Sequence, residues 1–165
     1  MGRRLRKSRL KCIARGARRA DVVAKVRVVP DTNVYVSALL WTGIPHRLLR
    51  LAEEGTLTLV TTPAIMEELR EVLGRPKFRL RISTLQTSVA ELMESLLSVV
   101  EVIPDLAIEP VIKRDPDDDK ILACAVAAQA PWLISGDDHL LSVKRYKGIS
   151  IVTPSQFSRI WEKSQ

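Results

Sequence analysis

Four places in this sequence carry acidic residues that could bind a metal ion together. Asp31 follows the apolar residues Val28–Pro30 and precedes another apolar run, where burial of an uncompensated charge would be costly. The other three places are Glu68, the run Asp117–Asp119 and Asp137. Several carboxylates in one crevice repel one another, and protonation or a divalent cation relieves that repulsion. Oxygen ligands favour hard ions, which here means Mg²⁺ or Mn²⁺.

An acidic cluster around one or two such ions suits the hydrolysis of phosphodiester bonds. One ion lowers the pKa of the attacking water and another stabilises the leaving oxygen. The sequence has only two histidines, His46 and His139, which argues against a histidine-rich zinc site. Its two cysteines, Cys12 and Cys124, lie far apart and form no CxxC pair. No glycine-rich phosphate loop is present, which disfavours an ATP-dependent activity.

Each acid also has a purely structural interpretation. Asp31 precedes a predicted helix and the run Asp117–Asp119 lies at the N-terminus of another, where a carboxylate caps N–H groups and gains about 0.3–1 kcal/mol from the helix dipole. On the predicted helix TPAIMEELREVLG, a step of about 100° per residue places Glu68 at the border of the apolar arc and Glu67 nearly opposite it. Glu68 is therefore the candidate ligand, although a surface ion pair would also explain it. The same geometry does not separate Asp118 from Asp119.

The elements that must position these acids alternate between short β-rich runs and helical patterns. Such alternation is typical of βαβ units around a parallel sheet. The predicted strands cover 26–29, 56–60, 99–103, 131–135 and 149–152, and the predicted helices cover 33–41, 45–54, 63–74, 83–97, 115–130 and 154–163. Because ligands of open α/β sheets bind beyond the carboxyl ends of the strands, Asp31 and Asp137 are expected to face the same crevice.

Composition divides the chain into a basic arm, residues 1–25, and one domain, residues 26–165. Ten of the 26 basic residues but only one of the 19 acidic residues lie in the arm, and the rest of the chain is slightly acidic. The arm could tether nucleic acid, or it could be a poorly ordered extension, a transit-type peptide or the result of a misplaced start. With 46% hydrophobic residues the domain can bury a core, in which we expect Trp41, Trp132 and Trp161. No apolar run is long enough to span a membrane, and a cytoplasmic protein is expected.

Four motifs in this order resemble the PIN domain family, in particular the VapC-like toxins of prokaryotic toxin–antitoxin pairs. They are DTN with Asp31, TPAIMEEL with Glu68, DDDKILACAVA with Asp119 and LISGDDHLL with Asp137. The resemblance spans residues 26 to about 160. It implies an α/β fold of three layers, α/β/α, with a central and mostly parallel sheet of about five strands. It also implies an endoribonuclease that depends on Mg²⁺ or Mn²⁺ and cuts single-stranded RNA.

The resemblance further implies which residues would act and with which partners. Asp31, Glu68, Asp119 and Asp137 would be the catalytic and metal-binding quartet, with Asp138 as the alternative to Asp137. Hydrogen bonds that orient these carboxylates are expected from three neighbours, Thr32, Asn33 and Ser135. A cognate antitoxin and a homodimer are the expected protein partners. Pro30 departs from the family pattern, in which an aliphatic residue usually precedes the first acid.

Two other functions fit the same residues. The protein could be a PIN-type nuclease that processes or repairs structured RNA or DNA, with the basic arm as its tether. It could also be a non-catalytic PIN-like module that binds RNA or a protein. The non-catalytic interpretation is the weaker one, because a binding module needs none of the four acids.

Overall fold

The predicted alternation of strands and helices is confirmed by a computed structural model, which describes residues 25–108 and 116–165. The strands are β1 (Val26–Pro30), β2 (Leu57–Thr61), β3 (Val100–Val102), β4 (Trp132–Ile134), β5 (Arg145–Tyr146) and β6 (Ile149–Val152). The helices are α1 (Thr32–Leu40), α2 (Ile44–Glu53), α3 (Pro63–Leu73), α4 (Pro76–Thr84), α5 (Val89–Leu97), α6 (Pro116–Ala127), α7 (Asp138–Val143) and α8 (Pro154–Lys163). All but the last residue of the predicted arm lies outside the described residues.

The strands form one sheet in the order β3-β2-β1-β4-β6-β5, with helices packed against it. β1 pairs in parallel with both β2 and β4. The neighbouring pairs β2–β3 and β4–β6 are also parallel. Only β5 is antiparallel among the described strands, so the mostly parallel α/β fold is confirmed with six strands instead of about five. The strand order reverses next to β1, which places a ligand-binding crevice beyond the carboxyl ends of β1 and β4.

The core lies on both faces of the central strands. Val28, Val29, Leu59, Val60, Leu133 and Ile134 have no exposed surface. These continuous apolar runs are typical of parallel strands covered by helices on both sides. The small side chains of α6, among them the fully buried Cys124 and Ala125, let that helix approach the sheet closely. The sheet is therefore a rigid base for residues at its carboxyl edge.

Two helices begin at a threonine cap followed by a proline. Thr62 precedes Pro63 and its hydroxyl accepts a hydrogen bond from the N–H of Ile65 at the start of α3. Thr153 and Gln156 form a capping box at the start of α8. None of the helices in the described ranges combines the length and apolar character needed to cross a bilayer.

The single helix predicted over residues 83–97 is wrong. The chain instead forms α4, ends it after Thr84 and begins α5 at Val89. Gln86 adopts a left-handed conformation with a φ of 54°, which interrupts the helix. Ser88 and Glu91 then form a second capping box, so the S-x-x-E pattern in the sequence was the available signal.

The tryptophans are less buried than predicted. Trp132 and Trp161 are half-buried and contact Phe157, at centroid distances of 5.8 and 5.7 Å. Trp41, at the end of α1, leaves 44% of its surface exposed, so its predicted place in the core is wrong.

Candidate functional site

Asp31 lies at the junction of β1 and α1, and only 5% of its surface is exposed. Its backbone N–H donates to the carbonyl of Ile134 at the end of β4, 2.9 Å away, which ties this turn to the carboxyl edge of the sheet. Its Oδ1 accepts a hydrogen bond from the N–H of Val34, at 2.7 Å, and so caps α1. The capping interpretation is thus correct for one oxygen of Asp31, and the second oxygen has a different contact.

Ser135 connects Asp31 with Asp137. The Ser135 hydroxyl is fully buried, donates to Asp31 Oδ2 and accepts the N–H of Asp137 at 2.9 Å. Burial raises the pKa of Asp31. The hydrogen bond from Ser135 lowers it in part, and the negative charge of Asp137 raises it further. The structure therefore brings two of the predicted acids together and holds one of them where its negative charge is disfavoured.

Asp137 belongs to a group of three side chains that could bind one cation. Its Oδ1 lies 3.6 Å from His139 Nδ1, and Asp118 Oδ2 lies 3.9 Å from the same nitrogen. Within the described residues, one potential ligand atom from each of Asp118, Asp137 and His139 falls within 4.8 Å of the other two. His139 was not predicted as a site residue. The short spacing of DDH in the sequence was its only signal.

The acids at the start of α6 take different positions. Asp118 has a side chain only 13% exposed and joins this group, whereas Asp117 is exposed and its carboxylate lies 2.6 Å from Lys120 Nζ. Asp119, which the resemblance predicts as the ligand, is half-buried and is not part of this three-residue group in the described residues. Asp118 shares its helical face with the buried Ile121, Leu122 and Ala125, and this face is turned toward the sheet.

Glu68 lies at the border between core and surface, as predicted, while Glu67 is exposed beside Arg70. Burial is the main cause that raises the pKa of Glu68. The hydroxyl of Thr32 lowers the pKa of Glu68 in part, and the negative charges of Asp117 and Asp31 raise it further. Glu68 Oε2 and Thr32 Oγ1 are buried atoms that have no hydrogen-bond partner of normal geometry among the described residues. A buried oxygen of this kind suits a cation or its bound water.

The oxygen-rich donor set fits a hard divalent cation. Five side chains contribute: Asp118, Asp137 and His139 form one group, Asp31 is linked to Asp137 through Ser135, and Glu68 interacts electrostatically with Asp31. Four of them are carboxylates, the ligands that Mg²⁺ and Mn²⁺ prefer, and the imidazole adds one nitrogen. Thr32 is buried in the first turn of α1, and Asn33 is exposed there. A role for Asn33 in orienting a carboxylate stays a prediction.

The family of the chain follows from comparison with known proteins. A family model described as PIN domain matches residues 27–139, a range that includes every side chain of the crevice. The chain therefore belongs to the PIN domain family, whose members are typically nucleases. Uncharacterized protein MJ1680 of Methanocaldococcus jannaschii is 31% identical over 149 residues, which cover 84% of this chain and 94% of the relative.

A solved structure shows the same fold. VapBC2 from Rickettsia felis, bound to a DNA fragment from its promoter, aligns with a TM-score of 0.52 and 17% identity over 76% of this chain and 97% of the other. The PIN domain of human SMG5 aligns over 82% of this chain and 98% of the other, with 20% identity and a TM-score of 0.39. The likeness to the first of these structures shows that the fold is shared.

Proposed function

We propose that this protein is a metal-dependent endoribonuclease that hydrolyses single-stranded RNA as the toxin of a toxin–antitoxin pair. The observation that carries the proposal is the crevice itself. A buried carboxylate, Asp31, shares the Ser135 hydroxyl with Asp137, which in turn groups with Asp118 and His139. Protonation or a bound cation relieves the repulsion in such an arrangement, and the grouping of acids from distant parts of the chain favours the cation.

Each residue of the crevice has a distinct proposed role. Asp31, Asp118 and Asp137 would hold the cation, Mg²⁺ or Mn²⁺, which when bound acidifies water and stabilises charge on the phosphate. Glu68, with its raised pKa and a buried Oε2 that lacks a hydrogen-bond partner of normal geometry in the described part of the chain, is suited to accept a proton from the attacking water. Ser135 positions Asp31 and the backbone of Asp137 relative to each other. Asp119, the ligand that the family pattern predicts, is the alternative to Asp118 in this role.

The antitoxin and the homodimer remain parts of this proposal. Support for an antitoxin comes from the Rickettsia felis neighbour, which is the VapBC2 complex. Co-expression of the chain with the product of an adjacent small gene, followed by co-purification, tests the antitoxin. Light scattering of the purified protein tests the dimer.

The proposed activity is tested by incubating the purified chain with labelled single-stranded RNA, duplex RNA and flap DNA in Mg²⁺, Mn²⁺ or EDTA. We expect cleavage of single-stranded RNA with either metal and none in EDTA. Preferential cleavage of duplex RNA or flap DNA would favour a processing or repair nuclease instead. Absence of both cleavage and calorimetric metal binding would favour a non-catalytic module.

Glu68 and Glu67 offer a matched pair for the proposed proton acceptor. Replacing Glu68 with Gln keeps the size of the side chain and removes its charge, and we expect cleavage to fall by at least about a hundredfold. The Glu67→Gln variant loses an equal charge one position away, on the exposed side of α3, and should retain the wild-type rate. Single-turnover cleavage rates give the comparison. Equal rates for the two variants would remove Glu68 from the mechanism.

His139 should shift the choice of metal toward Mn²⁺. Imidazole nitrogen binds Mn²⁺ better than Mg²⁺, so a site with one imidazole discriminates between the two ions more than a site of oxygens alone. We expect the His139→Asn variant to lose affinity for Mn²⁺ by about tenfold, with a smaller change for Mg²⁺. Isothermal titration with each ion measures both affinities without RNA. Parallel losses for the two ions would show that His139 does not contact the metal.

A further inference from the structure

Helix α4 presents a basic surface that the acidic crevice does not use. The chain has no acidic residue between Glu71 and Glu91. In this interval four basic side chains follow one another at alternate positions, at Arg75, Lys77, Arg79 and Arg81. Ile82 is the one residue of α4 that is buried, and Leu80 leaves 79% of its surface exposed. The helix therefore touches the domain along a narrow face and leaves most of its positive charge in solvent.

Two aromatic rings lie among these charges. The exposed Trp41 ring contacts Phe78 edge to face, with centroids 6.1 Å apart. Lys77 Nζ lies 4.8 Å from the Phe78 ring centroid, and the Arg81 guanidinium carbon lies 5.9 Å from that of Trp41. Arg81 also donates from Nε to the carbonyl of Leu40 at 2.7 Å. The positive charge of Arg81 is thereby held in place beside an exposed aromatic face.

The basic surface is separate from the acidic crevice but connected to it by one helix. Asp31 is the N-cap of α1 and Trp41 is its C-cap. Since a helix rises about 1.5 Å per residue, the two ends lie about 15 Å apart along the axis of α1. A strand of a few nucleotides can cover that distance. The same molecule could thus place one phosphodiester at the acids and a neighbouring segment on α4.

We propose that Trp41 and the basic side chains of α4 form a second contact site for single-stranded RNA, which rests on the proposed ribonuclease function. Positive side chains bind the phosphates, and the exposed face of Trp41 stacks on one base. Basic grooves combined with aromatic platforms are the usual means of holding a single strand without reading its sequence. The uninterrupted positive charge of α4 is complementary to a phosphate backbone.

A protein partner is the competing occupant. A cavity of about 510 Å³ opens beside Trp41 and Arg81 and is lined largely by aliphatic side chains, among them Leu49, Leu92 and Leu96. An acidic peptide with apolar side chains would use both this cavity and the positive charges. RNA would use the charges and Trp41 without the cavity. The experiment therefore includes an acidic polypeptide.

The test measures binding of a labelled single-stranded RNA of about 12 nucleotides to the full chain in EDTA, where no cleavage occurs. The Lys77→Gln, Arg79→Gln double variant removes two exposed charges, and the control Arg159→Gln, Lys163→Gln removes two from the exposed side of α8. We expect the first pair to raise Kd about three- to tenfold and to lower the slope of log Kd against log salt by about 1.4, at roughly 0.7 per phosphate contact. The control should change neither quantity.

Trp41→Leu supplies a second readout, because stacking releases no counterions. This variant should raise Kd while leaving the salt slope unchanged. An unchanged Kd in the α4 double variant, or equal effects of the two double variants, would overturn the proposal. Loss of polyglutamate binding with RNA binding unchanged would assign the surface to a protein partner and also overturn it. Failure of the wild-type chain to cleave RNA would count against the proposed function separately, since binding is measured without cleavage.

Discussion

Replacement of Asp31 with Asn is expected to abolish RNA cleavage and to raise the melting temperature of the metal-free protein. Asn is as good a helix N-cap as Asp, so the contact with the N–H of Val34 can be kept. The change removes a buried negative charge that Asp137 repels. Cleavage should fall by at least about a thousandfold, equivalent to about 4 kcal/mol in the activation free energy. The melting temperature in EDTA should rise by a few degrees.

The pH dependence of this variant follows from the raised pKa of Asp31. A carboxyl group with a higher pKa in the folded state destabilises the fold progressively as pH rises from its unfolded value, near 3.8, through its folded value. The difference in melting temperature between Asp31→Asn and the wild type should therefore be small at acidic pH and larger at pH 7. Adding Mn²⁺ should stabilise the wild type more than the variant. These quantities are measured by thermal denaturation across pH, with and without metal.

Two results would contradict this account of Asp31. Cleavage at the wild-type rate by Asp31→Asn would show that the charge is not used in the reaction. A lower melting temperature in EDTA would show that Asp31 is mainly a stabilising cap. The Glu67→Gln variant serves as the control for loss of an acid outside the crevice, and neither its activity nor its metal response should change.

The second large effect is expected at Asp118, with Asp119 as its matched neighbour. Asp118→Asn should reduce cleavage by at least about a hundredfold and weaken Mn²⁺ binding, because its carboxylate groups with Asp137 and His139. Asp119→Asn, which changes the same functional group on a different face of α6, should reduce cleavage by less than about threefold. Cleavage rates and calorimetric Mn²⁺ affinities decide between the two positions. A larger loss of cleavage and of Mn²⁺ affinity in Asp119→Asn than in Asp118→Asn would make Asp119 the ligand, as the family pattern predicts.

Much of the fold could be predicted because its signals are local. Thr62 followed by Pro63 sets the start of α3, and the Thr153–Gln156 capping box sets the start of α8. The apolar arc of α3 separated Glu68 from Glu67, since helical geometry alone determines which of the two borders the core. The parallel sheet followed from the alternation of short apolar strands with longer helices.

The missed elements had signals that were weak or that competed with others. β5 consists of Arg145 and Tyr146 only, too short to show any alternation. α4 carries basic residues at every second position, which resembles neither an amphipathic helix nor a loop. The leucines on both sides of Gln86 continued a helical spacing across the break, and the left-handed conformation of Gln86 has no strong sequence signal.

The arrangement of the crevice depends on tertiary contacts that short motifs do not contain. The hydroxyl of Ser135 reaches Asp31 because β1 and β4 are neighbours in the sheet. The grouping of Asp118 with His139 depends on how the starts of α6 and α7 meet at that edge. The acids at the ends of the strands could be predicted from the sequence. Helical geometry alone did not predict which carboxylate of Asp117–Asp119 points into the crevice.

The central claim is that carboxylates from distant parts of the chain share one divalent cation. The most direct measurement is an anomalous difference map from crystals of the full chain grown with Mn²⁺. The account predicts a peak within coordination distance of carboxylate oxygens of Asp31, Asp118 or Asp137, with at least two of these residues as ligands. A map without a peak in this crevice, at an Mn²⁺ concentration that supports RNA cleavage, would contradict it.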